Sequence, residues 1–207
     1  MASFTRQIPD GDNRERTVCA ECGYVAYENP KIVVGSVIVA DGHVLMCRRA
    51  IEPRKGFWTL PAGYMELGET LEEGAAREAM EEAEAAITIE GIIGVFSIAR
   101  IGQVQVIFRA RFTEPGPPSF GAGPESLDVR LFRPDEIPWD EIAFPSVHWA
   151  LNAWRETGSG VLGRPAGNPP NDRRGVHRMP PEQAAARASG ISQPASQIAS
   201  ASDAAPP

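Results

Sequence analysis

Apolar residues cluster between turn-forming residues in the first half of the chain, and this pattern predicts strands. Residues 31–40 are rich in valine and isoleucine, and Asp41-Gly42 is a hairpin turn signal ahead of a second apolar stretch at 44–49. We therefore predict a β-hairpin over these residues. Further strands are predicted along the chain at 87–99, 103–112 and 129–132.

Two segments have the composition and spacing of helices. Residues 70–86 are dense in alanine, glutamate, leucine and methionine, and Thr70 stands three residues before Glu73, as in a capping box. A second, amphipathic helix is predicted at 146–156. Strands on both sides of a central helix, followed by a terminal helix, indicate an α/β sandwich. A spacing of four predicts one packed face on the first helix, made of Leu71, Ala75, Ala79 and Ala83.

Large apolar residues become sparse after Gly158, where alanine, proline, serine, glycine and arginine dominate. Such a segment buries too little apolar surface to offset the loss of conformational entropy on folding. We therefore predict a disordered, low-complexity tail over 158–207, whose deletion changes the melting temperature and the turnover little. The remaining chain divides into an N-terminal extension over 1–30 and a folded domain over 31–157.

Composition and charge narrow the classes of partner. The chain has 207 residues and a formal net charge of −7, which disfavours non-specific binding to nucleic acid. A small anionic substrate remains compatible with this charge because a bound divalent cation can reverse the local field. No stretch approaches the roughly 20 apolar residues of a membrane helix, so no membrane partner is expected. The polar start lacks the apolar middle of a signal peptide, and we expect a cytoplasmic protein.

Three glutamates on the first predicted helix are the strongest candidates for chemistry. Glu78, Glu81 and Glu82 stand at positions i, i+3 and i+4, and therefore lie on one helical face. Three carboxylates on a rigid element are suitable ligands for Mg²⁺ or Mn²⁺. For a generic glutamate-rich helix, the alternative interpretation is an acidic face in water.

The context of these glutamates favours the metal-binding interpretation. Together with their neighbours they follow the pattern Gly-x5-Glu-x7-Arg-Glu-x-x-Glu-Glu, which resembles the Nudix box of Nudix hydrolases. The preceding segment 58–62 also resembles the stretch that leads into that box. The six matching positions are Gly63, Glu69, Arg77, Glu78, Glu81 and Glu82.

The resemblance implies a fold, a cofactor and a role for each matching residue. The fold would be an α/β/α sandwich with a mixed sheet, and the cofactor Mg²⁺ or Mn²⁺. The ions would be bound by the three glutamates of the helix and the carbonyl of Gly63. Arg77 would orient the carboxylates by ion pairing, and Glu69 would anchor the junction between loop and helix. The reaction implied is hydrolysis of the diphosphate bond of a nucleoside diphosphate linked to another group.

The chain departs from the Nudix box at the end of the helix, where Glu84 replaces a glycine. Glycine at that place ends a helix in the left-handed conformation. We expect Glu84 either to extend the helix or to adopt that conformation at a cost of about 1 kcal/mol. Because the implied ligands all precede Glu84, the metal site is expected to survive.

Segments outside the box resemble a subgroup related to plant FAD and ADP-ribose pyrophosphatases. The matching segments are 29–31, 123–127 and 135–138. The resemblance implies FAD or ADP-ribose as substrate, cut to AMP and a second monophosphate. Glu125 matches a glutamate that serves relatives as an extra ligand or general base, and its alternative is a loop carboxylate in water. NADH is less expected because residues 88–100 contain no proline, whereas the NADH pyrophosphatases have an aromatic-proline segment there.

Cys19 and Cys22 have the spacing of half a zinc ribbon. Four ligands are the rule for structural zinc, and no second cysteine pair precedes this one, so zinc is not expected. Ligands from a second chain could still complete a site, and the sequence leaves a homodimer open. Cys47 lies in a predicted strand and is expected in the core. The histidines show no ligand spacing: His43, His148 and His177.

Aromatic side chains offer a second kind of contact with a nucleotide. They could stack on an adenine or a flavin, although aromatics in predicted strands are more often part of the core. Arg48 and Arg49 end a strand near the box, where they could meet phosphates or lie at a solvated edge. The aromatic candidates are Trp58, Phe96, Phe108 and Phe144.

Three alternatives to the leading function remain after these observations. A Nudix fold could bind ADP-ribose as a sensor without cutting it, but the complete set of carboxylates argues against that. A zinc-ribbon module for nucleic acid is disfavoured by the missing cysteine pair and the acidic charge. Hydrolysis of nucleoside triphosphates stays open because the same catalytic helix serves that reaction.

Overall fold

The computed structural model describes residues 2–178. The N-terminal extension is a small antiparallel sheet in the order β1-β2-β3. Its register pairs Thr5 with Val18, and Val18 in turn with Val25. The strands are β1 (Phe4–Gln7), β2 (Arg16–Cys19) and β3 (Val25–Ala26).

A seven-stranded mixed sheet forms the centre of the molecule, in the order β10-β5-β4-β9-β8. Strand β4 runs parallel to β9, whereas the other pairs of the sheet are antiparallel. Two short strands pair outside this order, β6 with β5 and β7 with β4. The strands are β4 (Lys31–Ala40), β5 (His43–Arg49), β6 (Trp58–Thr59), β7 (Ala62–Tyr64), β8 (Ile87–Ile98), β9 (Gln103–Phe112) and β10 (Ser126–Phe132).

Two helices cover the two faces of this sheet, α1 (Leu71–Ala83) and α2 (Pro145–Thr157). Successive side chains of β4 point to opposite faces, so Val37 packs with α2 and Ile38 packs with α1. Both side chains are fully buried. The α/β/α sandwich with a mixed sheet is therefore confirmed. Three short 3₁₀ helices complete the elements of the described residues: Ala99–Ile101, Trp139–Glu141 and Pro170–Asp172.

The sequence determines both ends of α1. Thr70 accepts a hydrogen bond from the Glu73 N–H, and the Glu73 carboxylate accepts one from the Thr70 N–H, so the predicted capping box is present. The predicted alanine face is buried against the sheet. The helix ends at Ala83 rather than at residue 86, and Glu84 adopts the left-handed conformation with φ 47° and ψ 32°.

The prediction of a disordered tail from Gly158 is wrong for residues 158–178. This segment lies along β8, where the Ala166 carbonyl accepts a hydrogen bond from Val95 N at 2.8 Å. Its start is held by Arg109, whose Nη1 donates to the carbonyls of Gly158 and Gly160 at 2.9 and 2.8 Å. A few specific hydrogen bonds thus hold this segment on the domain although it contains few apolar residues. Residues 179–207, the rest of the predicted tail, lie outside the described residues.

None of the helices in the described part of the chain is both long and apolar enough to cross a membrane. The longest, α1 and α2, have 13 residues each, and both carry charged side chains.

Candidate active site

Arg77 of α1 joins three glutamates and one main-chain carbonyl. Its guanidinium makes two hydrogen bonds to the Glu69 carboxylate, Nε to Oε2 at 3.0 Å and Nη2 to Oε1 at 2.9 Å. Nη1 donates to Glu78 Oε1 at 2.8 Å and to Glu81 Oε2 at 3.0 Å. Nη2 also donates to the Tyr64 carbonyl at 3.0 Å. The planar fork of arginine can make all these bonds at once, whereas the ammonium group of lysine cannot.

Glu69 ties the loop before α1 to this arginine. The hydrogen bonds from Arg77 and from the Glu66 N–H lower the pKa of Glu69 to about 2. Gly74 leaves room for this carboxylate, since a Cβ there would lie 2.6 Å from Glu69 Oε1 and 2.9 Å from Val34 Cγ2. The structure thus places Glu69 at the junction between loop and helix, where the sequence predicts it.

Glu82 and Glu78 are largely buried carboxylates on the face of α1 that meets β7. Burial raises the pKa of Glu82 to about 7, and the negative charges of Glu78 and Glu125 add to this rise. A hydrogen bond from the Ala62 N–H at 3.0 Å opposes it. Burial also raises the pKa of Glu78, against the effect of its bond to Arg77. Both side chains lie where a neighbouring cation would stabilise their charged forms.

Gly63 of β7 lies directly against the carboxylate of Glu78. A Cβ at this position would overlap both oxygens of Glu78, so a residue with a side chain would displace the carboxylate. Gly63 pairs with Val34 of β4, which fixes it on the central sheet. The sequence motif therefore has a steric reason at Gly63, in addition to the metal-ligand role that the resemblance implies.

Glu125 reaches the same site from the loop before β10. The loop is fastened to the end of α1 because Gly123 N donates to the Glu82 carbonyl at 3.2 Å. A Cβ at Gly123 would overlap the Glu81 carbonyl, so this approach requires glycine. The Glu125 carbonyl accepts a hydrogen bond from Ala50 N at 2.7 Å. Two independent elements therefore bring four glutamates to one place.

A pocket of about 1000 Å³ contains these four glutamates at one end. The lining also includes apolar side chains, among them Ile98 of β8, Ile107 of β9 and Trp149 of α2. Phe144 also lines the pocket, and the guanidinium of Arg49 lies 5.1 Å from its ring centroid. An acidic end joined to an apolar wall suits a ligand with both charged and aromatic parts.

The donors of the acidic end fit a divalent cation. Mg²⁺ and Mn²⁺ prefer oxygen ligands, and the four carboxylates are oxygen donors that repel one another without a cation. In the described part of the chain, no three acidic, histidine or cysteine side chains already surround one point at binding distance. Arg77 holds Glu78 and Glu81, and the Ala62 N–H holds Glu82. Cation binding would therefore exchange some of these hydrogen bonds for metal–oxygen contacts.

The structure shows which aromatic and arginine candidates for nucleotide contact lie at the pocket. Trp58, Phe96 and Phe108 are buried in the core, whereas Phe144 lines the pocket. Arg49 also lines the pocket, and Arg48 instead donates to the Gly56 carbonyl at 2.9 Å. Sequence spacing alone left each of these assignments open, because strand ends and loops carry no periodic signal.

The cysteines of the N-terminal sheet are a pair with different exposure. Cys19 is buried, Cys22 is exposed, and the N–H groups of Cys22 and Glu21 help to lower the pKa of Cys19. Cys47 lies in the core as predicted, and burial raises the pKa of its thiol. The absence of bound zinc stays a prediction.

Trp149, Gly175 and His177 line the pocket without having been expected there. Gly175 and His177 belong to the segment that composition assigned to a disordered tail. Trp149 lies on the predicted second helix, where the apolar pattern indicated packing and gave no sign of a pocket.

Comparison with known protein families identifies the family of this chain. The model of the NUDIX domain matches residues 29–154. The chain belongs to the Nudix family. A second model, described as Nudix N-terminal and built on a zinc ribbon, matches residues 2–28. The family that the sequence motif resembles is thus confirmed.

Relatives of this Nudix chain carry related names. It is 37% identical over 108 residues to a MutT-like protein of Streptomyces ambofaciens. These aligned residues cover 51% of this chain and 64% of that protein. It is also 36% identical over 74 residues to an ADP-ribose pyrophosphatase of Methanocaldococcus jannaschii. This alignment covers 36% of this chain and 44% of that protein. The chain therefore spans less than two thirds of the length of either relative. A crystal structure of a Nudix hydrolase from Nitrosomonas europaea is 43% identical with a TM-score of 0.73, covering 81% of this chain and 92% of that one.

Proposed function

We propose that this Nudix protein hydrolyses the diphosphate bond of a nucleoside diphosphate joined to a second group, with ADP-ribose and FAD as the leading substrates. The products would be AMP and either ribose 5-phosphate or FMN. The observation that carries the proposal is the pocket, in which four glutamates from two elements meet an apolar wall. The name of the Methanocaldococcus jannaschii relative supports ADP-ribose.

A divalent cation would be held at the acidic end of this pocket. Glu78, Glu81 and Glu82, with the carbonyl of Gly63, are the residues that we assign to hold Mg²⁺ or Mn²⁺. When bound, such ions neutralise the diphosphate, polarise its phosphorus and acidify the attacking water. Arg77 keeps two of these carboxylates on one side of α1, through its bonds to Glu78 and Glu81.

Glu125 is the residue that we assign to receive the proton of the attacking water. It is exposed at the acidic end, and its main chain is fixed by the hydrogen bond from Ala50. Among the described residues, no hydrogen bond to its carboxylate is observed, whereas Glu78 and Glu82 accept bonds from Arg77 and Ala62. A carboxylate that is held near the site but not engaged suits a general base.

The apolar wall would hold the aromatic part of the substrate. Trp149 and Phe144 would contact an adenine or flavin ring, and Ile98 and Ile107 would add apolar contact. Arg49, which lies over Phe144, is placed to pair with a phosphate at the boundary between the two ends. This division explains how one pocket could bind a charged diphosphate and a flat apolar ring.

The experiment that tests the substrate is a comparison of kcat/KM for ADP-ribose, FAD, NADH and a set of nucleoside triphosphates at one Mg²⁺ concentration. We expect ADP-ribose or FAD to lead. A lead of tenfold for a triphosphate, about 1.4 kcal/mol of transition-state preference, would overturn the substrate assignment and leave the diphosphate chemistry. Tight binding of ADP-ribose without cleavage would instead identify a sensor.

The absence of structural zinc is a separate prediction about the N-terminal sheet. Cys19 and Cys22 supply two thiolates, and the described residues offer no completed set of ligands around them. We expect elemental analysis of the purified protein to find well below one zinc per chain after dialysis. One zinc per chain that survives dialysis would show that further ligands, from this chain or from a second one, complete the site.

A further inference from the structure

The segment 161–178 forms a strap along β8 that ends in the active-site pocket. It lies outside both family matches, which cover residues 2–28 and 29–154. We infer that His177, at the end of this strap, is a specificity-determining residue that contacts the nucleoside of the substrate at the apolar end of the pocket. The inference rests on the proposed function for its substrate, and it adds a residue and a segment to that site.

The strap is joined to β8 by main-chain and side-chain hydrogen bonds. Ala166 N donates to the Ile93 carbonyl at 2.9 Å, and its own carbonyl accepts from Val95 N at 2.8 Å. Asn168 then bonds Ser97 in both directions, Oδ1 accepting from its N–H at 2.7 Å and Nδ2 donating to its carbonyl at 2.8 Å. Since β8 is an edge strand of the sheet, these bonds satisfy main-chain groups that would otherwise face water.

Asp172 fixes the end of the strap. Its side chain is largely buried, and its carboxylate accepts hydrogen bonds from Val176 N at 2.8 Å and His177 N at 3.0 Å. The Asp172 carbonyl accepts further bonds from Gly175 N and from Asn168 Nδ2, both at 3.1 Å. A buried carboxylate therefore sets the main chain of His177 directly, and the histidine is not at the end of a loose loop.

Gly175 makes the close approach that brings His177 to the pocket. A Cβ at Gly175 would overlap the Ser97 carbonyl and lie 2.9 Å from the Ile98 Cα, and its φ is +60°. Glycine is therefore required both for the conformation and for the contact with β8. Ile98 lines the apolar wall, so the chain enters the pocket next to that wall rather than at the glutamates.

The ring of His177 is exposed and lines the pocket close to α2. Burial lowers the pKa of His148 on α2, and the charge of His177 adds to this effect while Asp140 opposes it. The interaction places His177 near the helix that also carries Trp149. An imidazole at this position can stack on a base or form hydrogen bonds with the base or ribose, and it lies on the side of the pocket assigned to the nucleoside.

The test is a calorimetric titration of AMP, which has no diphosphate bond to cut, in the presence of Mg²⁺. We expect His177→Ala to raise the Kd for AMP about tenfold. The matched control is His43→Ala, in the β4–β5 hairpin outside the pocket, which should leave the Kd unchanged. Binding of ribose 5-phosphate, which lacks the base, is expected to be the same in all three proteins. His177→Gln keeps hydrogen-bonding capacity and should weaken AMP binding less than His177→Ala.

Two outcomes would overturn the inference. One is an equal Kd for AMP in the wild type and in folded His177→Ala, and the other is no binding of AMP to the wild type. Asp172→Ala serves as a positioning variant and should weaken AMP binding while leaving ribose 5-phosphate binding unchanged. The titration needs no turnover, so it tests His177 separately from the hydrolase activity. If His177→Ala selectively lost AMP binding while the wild type cleaved no diphosphate, the proposed hydrolase would be rejected and the role of His177 retained.

Discussion

Glu82 is the residue at which burial and charge conflict most strongly. Its carboxylate is largely buried, lies near two other glutamates, and accepts one main-chain hydrogen bond. A structural carboxylate with this environment would be costly to keep, because burial disfavours its charged form. A function that requires negative charge at this point gives the cost a reason.

The pKa of Glu82 predicts how the stability of the metal-free protein depends on pH. Its folded value of about 7 lies above the ordinary 4.5, so its favourable contribution is complete below pH 4.5 and is lost as pH rises through 7. Glu82→Gln stays neutral at every pH. In EDTA, the melting temperature of Glu82→Gln minus that of the wild type should therefore increase between pH 5 and pH 8.

Mg²⁺ provides a second check on this pH dependence. Adding Mg²⁺ at pH 8 should reduce the difference in melting temperature between Glu82→Gln and the wild type, because the cation stabilises the charged carboxylate of the wild type and has less affinity for the amide. A difference in melting temperature that stays constant from pH 5 to pH 8 would show that Glu82 titrates normally, contrary to its buried position.

Residues of the site were predictable from sequence wherever function depends on fixed spacing. The acidic face of α1 follows from helical geometry, and Gly63 and Arg77 follow from the motif. Arg49 and Phe144 could be named only as candidates, since their place at the pocket depends on how a strand end and a loop meet. Such long-range contacts leave no local pattern in the sequence.

At the level of elements, α1 shows the most complete agreement between sequence and structure. The capping box and the alanine face are both present as predicted. The predicted end was three residues too late, because alanine-rich composition continues past the point where Glu84 turns the chain. Strands β6 and β7 were not predicted, since they have two and three residues and are formed by pairing with β5 and β4.

The turn at Glu84 offers a direct test of the helix end. A non-glycine residue in the left-handed conformation costs about 1 kcal/mol, which Glu84→Gly would relieve. We expect the melting temperature to rise by about 2–4 °C, since that is the usual shift per kcal/mol for a chain of this size. Glu84→Ala is the matched control, because it removes the side chain and keeps the strain. If alanine stabilised as much as glycine, the side chain and not the backbone would be the source of the cost.

For the whole molecule, composition was a poor guide to the structure of segment 158–178. Segment 158–178 has few large apolar residues, yet Arg109, Asn168 and Asp172 supply directional bonds that hold it on the domain. Leu162 and Ala166 also pack against the core cluster beneath α2. Averages over fifty residues conceal such contacts, because a few well-placed side chains are enough to fix a segment to an existing sheet.

Two truncations measure what this segment contributes. Removal of 158–207 uncovers the edge of β8 and leaves Arg109 without two of its carbonyl partners, so we expect the melting temperature to fall by more than about 4 °C. Removal of 179–207 is the matched control, for which the scarcity of large apolar residues predicts little change. Equal melting temperatures for the two truncated proteins would mean that the contacts along β8 do not stabilise the fold.

We propose that the glutamate-lined pocket cleaves a diphosphate. The most direct measurement is chromatographic analysis of ADP-ribose incubated with Mg²⁺ and either the wild type or Glu82→Gln, with circular dichroism to confirm that both are folded. We predict AMP and ribose 5-phosphate from the wild type, and a turnover number lower by about 100-fold or more in the variant, because a charged donor to the cation is lost. Equal turnover by the two folded proteins would contradict the assignment of Glu82, and intact ADP-ribose after incubation with the wild type would contradict its cleavage by this pocket.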